Sequence, residues 1–424
     1  MKKVIPIALF TLIAGMAIYA PMAQASPEEY CEGNNECEVL FVESTVQNNI
    51  VKRVVTIKTG WRANDKFTYQ RTVLADASGN PLPFTQLEGA VVLAPGGASS
   101  TAMYDLEPGG MSLIEYLASY GLDVYTYNSR TTGMNGAQCL LANNIIGEWG
   151  MQRYVDDVRI IGAIAWLTHL FQAPAIGGLS LGAMVSIASL NDPPILWNWR
   201  KAAIMDGTLY YADPDLQAVY QIACDDYTQK ASSGIRYDSL SYLLLTSLWH
   251  AYLDNPNGVS IWSIGACEQS CLDEENNPRY CTNDECMHLV ATQPQQPPVA
   301  EAPDYVYLAG QINPNMLYYA DEDLMTAAVD QFNTCEPYLL MSNYYCCFTG
   351  ICEFTDNLDS YDGDILAVKT GMGFGPHMDD NLDLLENANI QELVVSQYGH
   401  ADVMVAADQD MTIWPTLRDF FLAP

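Results

Sequence analysis

Ala173-Pro-Ala-Ile-Gly-Gly-Leu-Ser-Leu-Gly-Ala-Met-Val-Ser-Ile-Ala-Ser-Leu190 is the stretch around which the rest of the chain is organised. Residues 175–179 form an apolar run of the length of a buried strand, and Ser186, Ile187 and Leu190 continue at helical spacing after it. Between the two stands Gly178-Leu179-Ser180-Leu181-Gly182, a G-x-S-x-G pattern. A strand that turns at once into a helix forces its central residue into a strained backbone conformation. Glycines two before and two after leave room for the close approach of the two elements. The Ser180 hydroxyl then projects from the turn beside the N–H groups that open the helix. Five residues alone also fit a glycine-rich turn with an idle serine. The strand–turn–helix setting is what makes Ser180 a candidate nucleophile.

Outward from this unit, apolar runs at 89–94, 122–127 and 201–205 read as buried strands, and 112–120 and 154–170 as helices. Gly121 is placed to cap the first of these helices. Further upstream, 39–47, 51–59 and 67–74 are rich in β-branched residues and read as strands. Strands alternating with helices from about 89 to 206 predict an α/β fold, with a mostly parallel central sheet flanked by helices on both faces. The pattern breaks at 207–363, a stretch with many tyrosines in which eight cysteines crowd between 267 and 352 and 242–252 is the clearest helix. It resumes with a strand at 365–368, a helix near 380–388, a strand at 392–396 and a last helix near 415–422. The expected organisation is a core of 26–206 and 364–424, roughly 240 residues and a usual domain size. A cysteine-rich cap of 207–363 is inserted after the strand that ends at Asp206.

Residues 1–25 read as a leader rather than as part of the fold. Lys2 and Lys3 precede an apolar stretch broken by Pro6 and Gly15, and Ala23-Gln24-Ala25 is an A-x-A cleavage site before Ser26. The stretch is short for a spanning helix and no cysteine follows the cleavage site, so no stable membrane anchor is expected. The reading is a secreted or periplasmic bacterial protein. The formal charge of −33 repels nucleic acid and anionic headgroups. Twelve cysteines in an exported chain suit disulfides, with Cys31 and Cys37 closing a small N-terminal loop and the pairing of the rest left open. A zinc site is the rival, but there is no C-x-x-C pair and only His288 stands among the crowded cysteines.

His400, in Gln397-Tyr-Gly-His-Ala-Asp402, follows the last expected strand, at the sheet edge where ligands collect in open parallel sheets. Ser180 reaches the same edge, and a serine hydroxyl needs a base of this kind before it can attack a carbonyl. Of the other four histidines, only His377 competes by position. The amides of Gly97, in Pro95-Gly96-Gly97, and of Leu181 are candidate donors to a developing oxyanion. Asp356, Asp359, Asp362 and Asp364 invite a calcium reading. Counting back from Gly363, however, puts Leu358 at the first ligand position of an EF-hand loop, so the motif fails and a solvated acidic loop is the reading. No cofactor is expected.

The order of Pro95-Gly96-Gly97, Asn128-Ser129-Arg130, the Ser180 pentapeptide and Tyr398-Gly399-His400 resembles the α/β-hydrolase family, in particular lipases and esterases with a large cap insertion. The resemblance covers most of the chain outside 207–363 and implies Ser180 as nucleophile, His400 as base and an acid between them in chain order. The family's usual acid follows the strand at 365–368, where this chain reads Lys369-Thr-Gly-Met-Gly-Phe-Gly-Pro376, with no carboxylate before Asp379 and Asp380. Asp206, one strand earlier, is the favoured acid, with Asp379 and Asp380 as alternatives. The family's oxyanion loop usually has His-Gly where this chain has Pro95-Gly96. The implied activity is hydrolysis of a small-molecule or lipid-like carboxylic ester. A secreted peptidase or lactonase, or an inactive hydrolase fold serving as a binding module, are the alternatives. Tyr210, Tyr211, Tyr220, Trp249, Tyr252 and Trp262 are candidates either for an acyl pocket or for the core of the cap. Oligomeric state is not legible. The leader reading predicts a mature chain beginning at Ser26 in protein recovered from periplasm or medium. Intact-mass spectrometry that finds Met1 retained would remove it.

Overall fold

A computed structural model describes residues 38–59, 65–194, 197–238, 241–261, 271, 279–297, 300–312, 315–332 and 335–424. The leader, Cys31, Cys37 and Trp262 lie outside these residues. The strands in chain order are β1 (Glu38–Gln47), β2 (Ile50–Lys58), β3 (Lys66–Leu74), β4 (Gly89–Ala94), β5 (Leu122–Tyr127), β6 (Ala175–Leu179) and β7 (Lys201–Met205). They continue with β8 (Tyr237–Asp238), β9 (Gly310–Ile312), β10 (Asn315–Leu317), β11 (Glu336–Pro337), β12 (Asp364–Thr370) and β13 (Asn389–Val395).

Nine of them form one sheet in the order β1-β2-β3-β5-β4-β6-β7-β12-β13. From β5 to β13 every pairing is parallel, whereas β1, β2 and β3 are antiparallel neighbours at one edge. The β1–β2 turn consists of Asn48 and Asn49, both at positive φ (53° and 62°), which asparagine tolerates and which matches the twist of a hairpin. The order reverses around β4, with β5 on one side and β6 on the other, so the loops after β4 and β6 open a crevice at their carboxyl ends.

β4, β5, β6 and β7 are buried at every position because both faces are covered. Val92, Ala94, Ile176 and Ile204 pack with the helices Met151–Thr168 and Leu181–Asn191. Val91, Leu93, Ala203 and Met205 face the helices Leu113–Ser119 and Trp414–Leu422. The expected α/β architecture is the observed one, and the capping box of Ser112 and Glu115 fixes where the first of these helices begins. One expected helix is shorter than its pattern. Asp379–Leu382 is helical, but the following residues turn, with Asn387 bonding the Asp359 carbonyl and Asn389 the Asp364 carboxylate instead of continuing the helix.

Between β7 and β12 lies the large disulfide-rich cap. Its helices include Pro214–Ala231, Ser241–Asp254, Asn283–Thr292, Glu322–Val329 and Tyr338–Phe348. The first and last of these pack together through stacked Tyr227 and Tyr345 rings (5.0 Å between centroids) and the Cys224–Cys346 disulfide. Cys271–Cys281 and Cys347–Cys352 close small loops within the cap. Cys139–Cys335 differs in kind, since it joins the helix Gly136–Ile146, which precedes β6, to the residue before β11, 196 positions away. Each described cysteine is disulfide-bonded, which leaves no thiolate there for zinc. A cross-link across so long a loop restricts the unfolded chain strongly. Replacing Cys139 and Cys335 together by serine should therefore lower unfolding stability by about 2–5 kcal/mol. Urea denaturation would read this as a lower midpoint, and an unchanged midpoint would mean that the bond restrains little.

Candidate active site

Ser180 occupies the turn that the sequence led us to expect. β6 ends at Leu179, Ser180 takes φ 57° and ψ −122°, and the next helix begins at Leu181. The flanking glycines are required by contact. A Cβ on Gly178 would stand 2.3 Å from Gly182 backbone, and one on Gly182 would stand 2.0 Å from the Ala94 carbonyl at the end of β4. The Ser180 amide donates to Met205 O at 3.0 Å, which fixes the turn against β7.

Asp206 follows directly on β7, also at positive φ (42°), and its amide donates to Val368 O of β12 at 2.8 Å. Its carboxylate is fully buried and accepts from four donors. Thr370 N (3.1 Å) and Thr370 Oγ1 (2.8 Å) reach Oδ1, while Phe374 N (3.2 Å) and His400 Nδ1 (2.7 Å) reach Oδ2. With Nδ1 donating, the His400 ring has Nε2 left as an acceptor. The alternative acids are engaged elsewhere. Asp379 pairs with Lys369, which also contacts Glu392 at 2.9 Å, and Asp380 accepts from the Ala212 amide at 2.8 Å.

The loop bearing His400 is held by the cap. His400 N donates to Val306 O (2.9 Å), Ala401 N donates to Tyr307 O (2.8 Å), and Asp402 Oδ2 accepts from both Gly399 N (2.7 Å) and Ala309 N (2.8 Å). Tyr305 and Phe374 flank the imidazole at 5.2 and 5.4 Å between ring centroids. The remaining histidines have other surroundings. His169 contacts buried Asp123, which also pairs with Arg71; His250 meets Asp330, His288 meets Asp284, and His377 lies against Tyr211.

Ser180 and His400 line one cavity of about 110 Å³. Gly96, Gly97 and Met103 form its wall on the β4 side, and Glu301, Tyr305, Tyr307 and Phe332 form its wall from the cap. In the loop after β4 the neighbouring amides are occupied, Gly96 N by Met103 Sδ and Ala98 N by Glu336 Oε2, both at 3.1 Å. Among the described residues the Gly97 amide carries no hydrogen bond, and Leu181 supplies the first amide of its helix. Gly97 and Ser180 thus line the same cavity, and the helix that begins at Leu181 follows directly on Ser180.

Sequence reasoning did not find Glu301, Glu336, Asp402, Tyr305 or Tyr307. Tyr211 and Tyr220, two candidates for the pocket, stack on each other within the cap core, and Trp249 packs on Tyr252 and bonds Thr326. The acidic run at 356–364 turns through Leu358–Ser360 into β12. Arg130 pairs with Asp157 in the core.

The missed carboxyls have unusual surroundings. Burial pushes Asp402 up to about 7, although the Ala309 and Gly399 amides pull the other way, and among the described residues its Oδ1 has no partner. Burial pushes Glu336 up to about 7 as well, opposed by the Ala98 amide and reinforced by Asp238 and Glu301.

No family model and no curated protein matches this chain. Solved structures do. A protein from Sulfolobus solfataricus provisionally assigned as a lipase aligns over 90% of this chain and 97% of its own, with a TM-score of 0.56 and 15% identity. An esterase from Exiguobacterium antarcticum aligns over 85% and 97%, with a TM-score of 0.47 and 10% identity. An enol-lactonase from Burkholderia xenovorans aligns over 84% and 97%, with a TM-score of 0.43 and 11% identity. At 15% identity the likeness to the Sulfolobus solfataricus protein is one of fold alone. The chain has a mostly parallel central sheet flanked by helices, with a large disulfide-rich cap inserted between core strands.

Carboxyls whose titration is raised by folding favour the folded state fully below the ordinary carboxylate range. That contribution falls as pH rises to about 7, because the folded chain then holds the protons more tightly than the unfolded one. Thermal melts should therefore show stability declining between about pH 4 and pH 7. Asp402→Asn should flatten that decline, and a variant with the wild-type slope would show that Asp402 is not among its sources.

Proposed function

We propose that the protein is a serine hydrolase that cleaves carboxylic esters through an acyl-enzyme. The observation that carries this reading is the 2.7 Å contact of His400 Nδ1 with Asp206 Oδ2, beside the cavity onto which a positive-φ turn presents Ser180. In this mechanism Ser180 Oγ attacks the ester carbonyl while His400 Nε2 takes its proton. Asp206 holds the imidazole with Nδ1 protonated and stabilises the imidazolium that forms. The amides of Gly97 and Leu181 receive the oxyanion. The imidazolium then protonates the departing alcohol, leaving the acyl group on Ser180. A water deprotonated by His400 releases the acid and restores the serine. The cycle calls for no cofactor.

We also propose export, with 1–25 as leader, 26–206 and 364–424 as core and 207–363 as cap. The disulfides support that reading, since such bonds persist in oxidising compartments. Among the described residues no helix is long and apolar enough to cross a membrane.

Fluorophosphonate labelling and nitrophenyl-ester turnover test the mechanism. Ser180→Ala should abolish both while leaving the circular dichroism unchanged. Asp206→Asn should cost on the order of 10⁴ in turnover, the usual effect of losing a triad acid. Asp379→Asn should stay within about threefold of wild type, as a change at a surface ion pair does. Turnover that survives Ser180→Ala would end the proposal.

A further inference from the structure

We propose that the ester bound in this cavity carries an ammonium group, held between the Glu301 carboxylate and the rings of Tyr305 and Tyr307. The inference rests on the esterase reading and names the substrate class of that same site. Glu301 belongs to the cap and lines the cavity together with Ser180 and His400. Tyr344 donates a hydrogen bond to its carboxyl, which has lone pairs for further donors. Among the described residues neither lysine nor arginine lines the cavity. Nor does any described lysine, arginine or histidine form an ion pair with Glu301.

A carboxyl in the wall of a cavity meant for a plain hydrocarbon chain would be a desolvation penalty with nothing to offset it. Burial does hold Glu301 above the ordinary carboxylate range, with His400 pulling the other way. A bound ammonium supplies the missing opposite charge, and a charge pair out of water is worth far more than one at the surface. Tyr305 and Tyr307, with centroids 5.2 and 6.4 Å from that of the His400 ring, offer aromatic surface to such a cation close to the reacting atoms. Met103 and Phe332 supply apolar wall for methyl or methylene groups. The long-range field agrees. A chain of net charge −33 draws cationic esters toward its surface and repels those that bear carboxylate or phosphate.

Choline and its carbon isostere dimethylbutanol, in which a tert-butyl group replaces the trimethylammonium, separate charge from shape. Calorimetric titration of the full chain with each should find choline bound at least about tenfold more tightly, as a desolvated cation beside a carboxylate and aromatic faces requires. Choline should also slow fluorophosphonate labelling of Ser180. Glu301→Gln should weaken choline binding by about tenfold or more, and Glu301→Asp should restore part of it. Equal or weaker binding of choline by the wild type overturns the inference, whatever the variants do and whether or not they fold. If labelling of Ser180 persists in that case, the esterase reading stands without it. Slower labelling in Glu301→Gln with choline affinity intact would also overturn it, because Glu301 would then serve His400 and not the substrate. Absence of labelling in the wild type would remove the esterase reading and the inference with it.

Discussion

A carboxylate with no access to water has to be matched donor for donor, and Asp206 is the group on which the rest of the site depends. Its partners come from the end of β12, from the glycine-rich loop after it and from the loop of His400. Positions that seem independent along the sequence are thereby fixed relative to one another. Gly373 shows how tight the arrangement is, since a Cβ there would stand 2.2 Å from Asp206 Oδ2 and 2.5 Å from Thr370 Oγ1. The loop from Lys369 to Pro376 carries no acid, and its backbone instead solvates the acid of the preceding strand.

The same loop shows what was legible in the sequence. The four central strands could be read to the residue because each is a short apolar run covered on both faces, and such runs have few alternative fates. The Ser180 turn was legible because its glycines are imposed by backbone contact, and His400 because it follows a strand end. Which carboxyl lies beside His400 could only be ranked. Asp206, Asp379 and Asp380 look alike until burial and hydrogen bonds separate them. The cap was the least legible region. Its helices Pro214–Ala231 and Tyr338–Phe348 pack on each other through tyrosines, so their apolar faces carry hydroxyls and blur the pattern. Glu301, Glu336 and Asp402 were missed for the complementary reason. A carboxyl in a sequence reads as surface until something encloses it.

The cap contributes to the site more than cover. The segment from Tyr305 to Ala309 is bonded on both sides, with Val306 N on Met372 O, Leu308 N on Ala291 O, and the His400 and Ala401 amides returning to Val306 and Tyr307. Without these carbonyls the amides of the histidine loop would need other partners, so the position of the imidazole is partly a property of the insertion.

The join between Cys139 and Cys335 has a further consequence. Glu336, the next residue, grips the Ala98 amide, and Ala98 adjoins Gly97. The covalent bond is therefore linked, through Glu336 and Ala98, to Gly97 in the cavity wall. A cap moored there is tied to the core at a further point besides its two chain connections to β7 and β12. The bond also links the loop after β4 to the oxidation state of two sulfurs. A chain folded among thiols would lack this mooring, and one folded among oxidants would acquire it. The surroundings in which the protein matures thus become, through a single cross-link, part of the geometry of the cavity that Ser180 and His400 line.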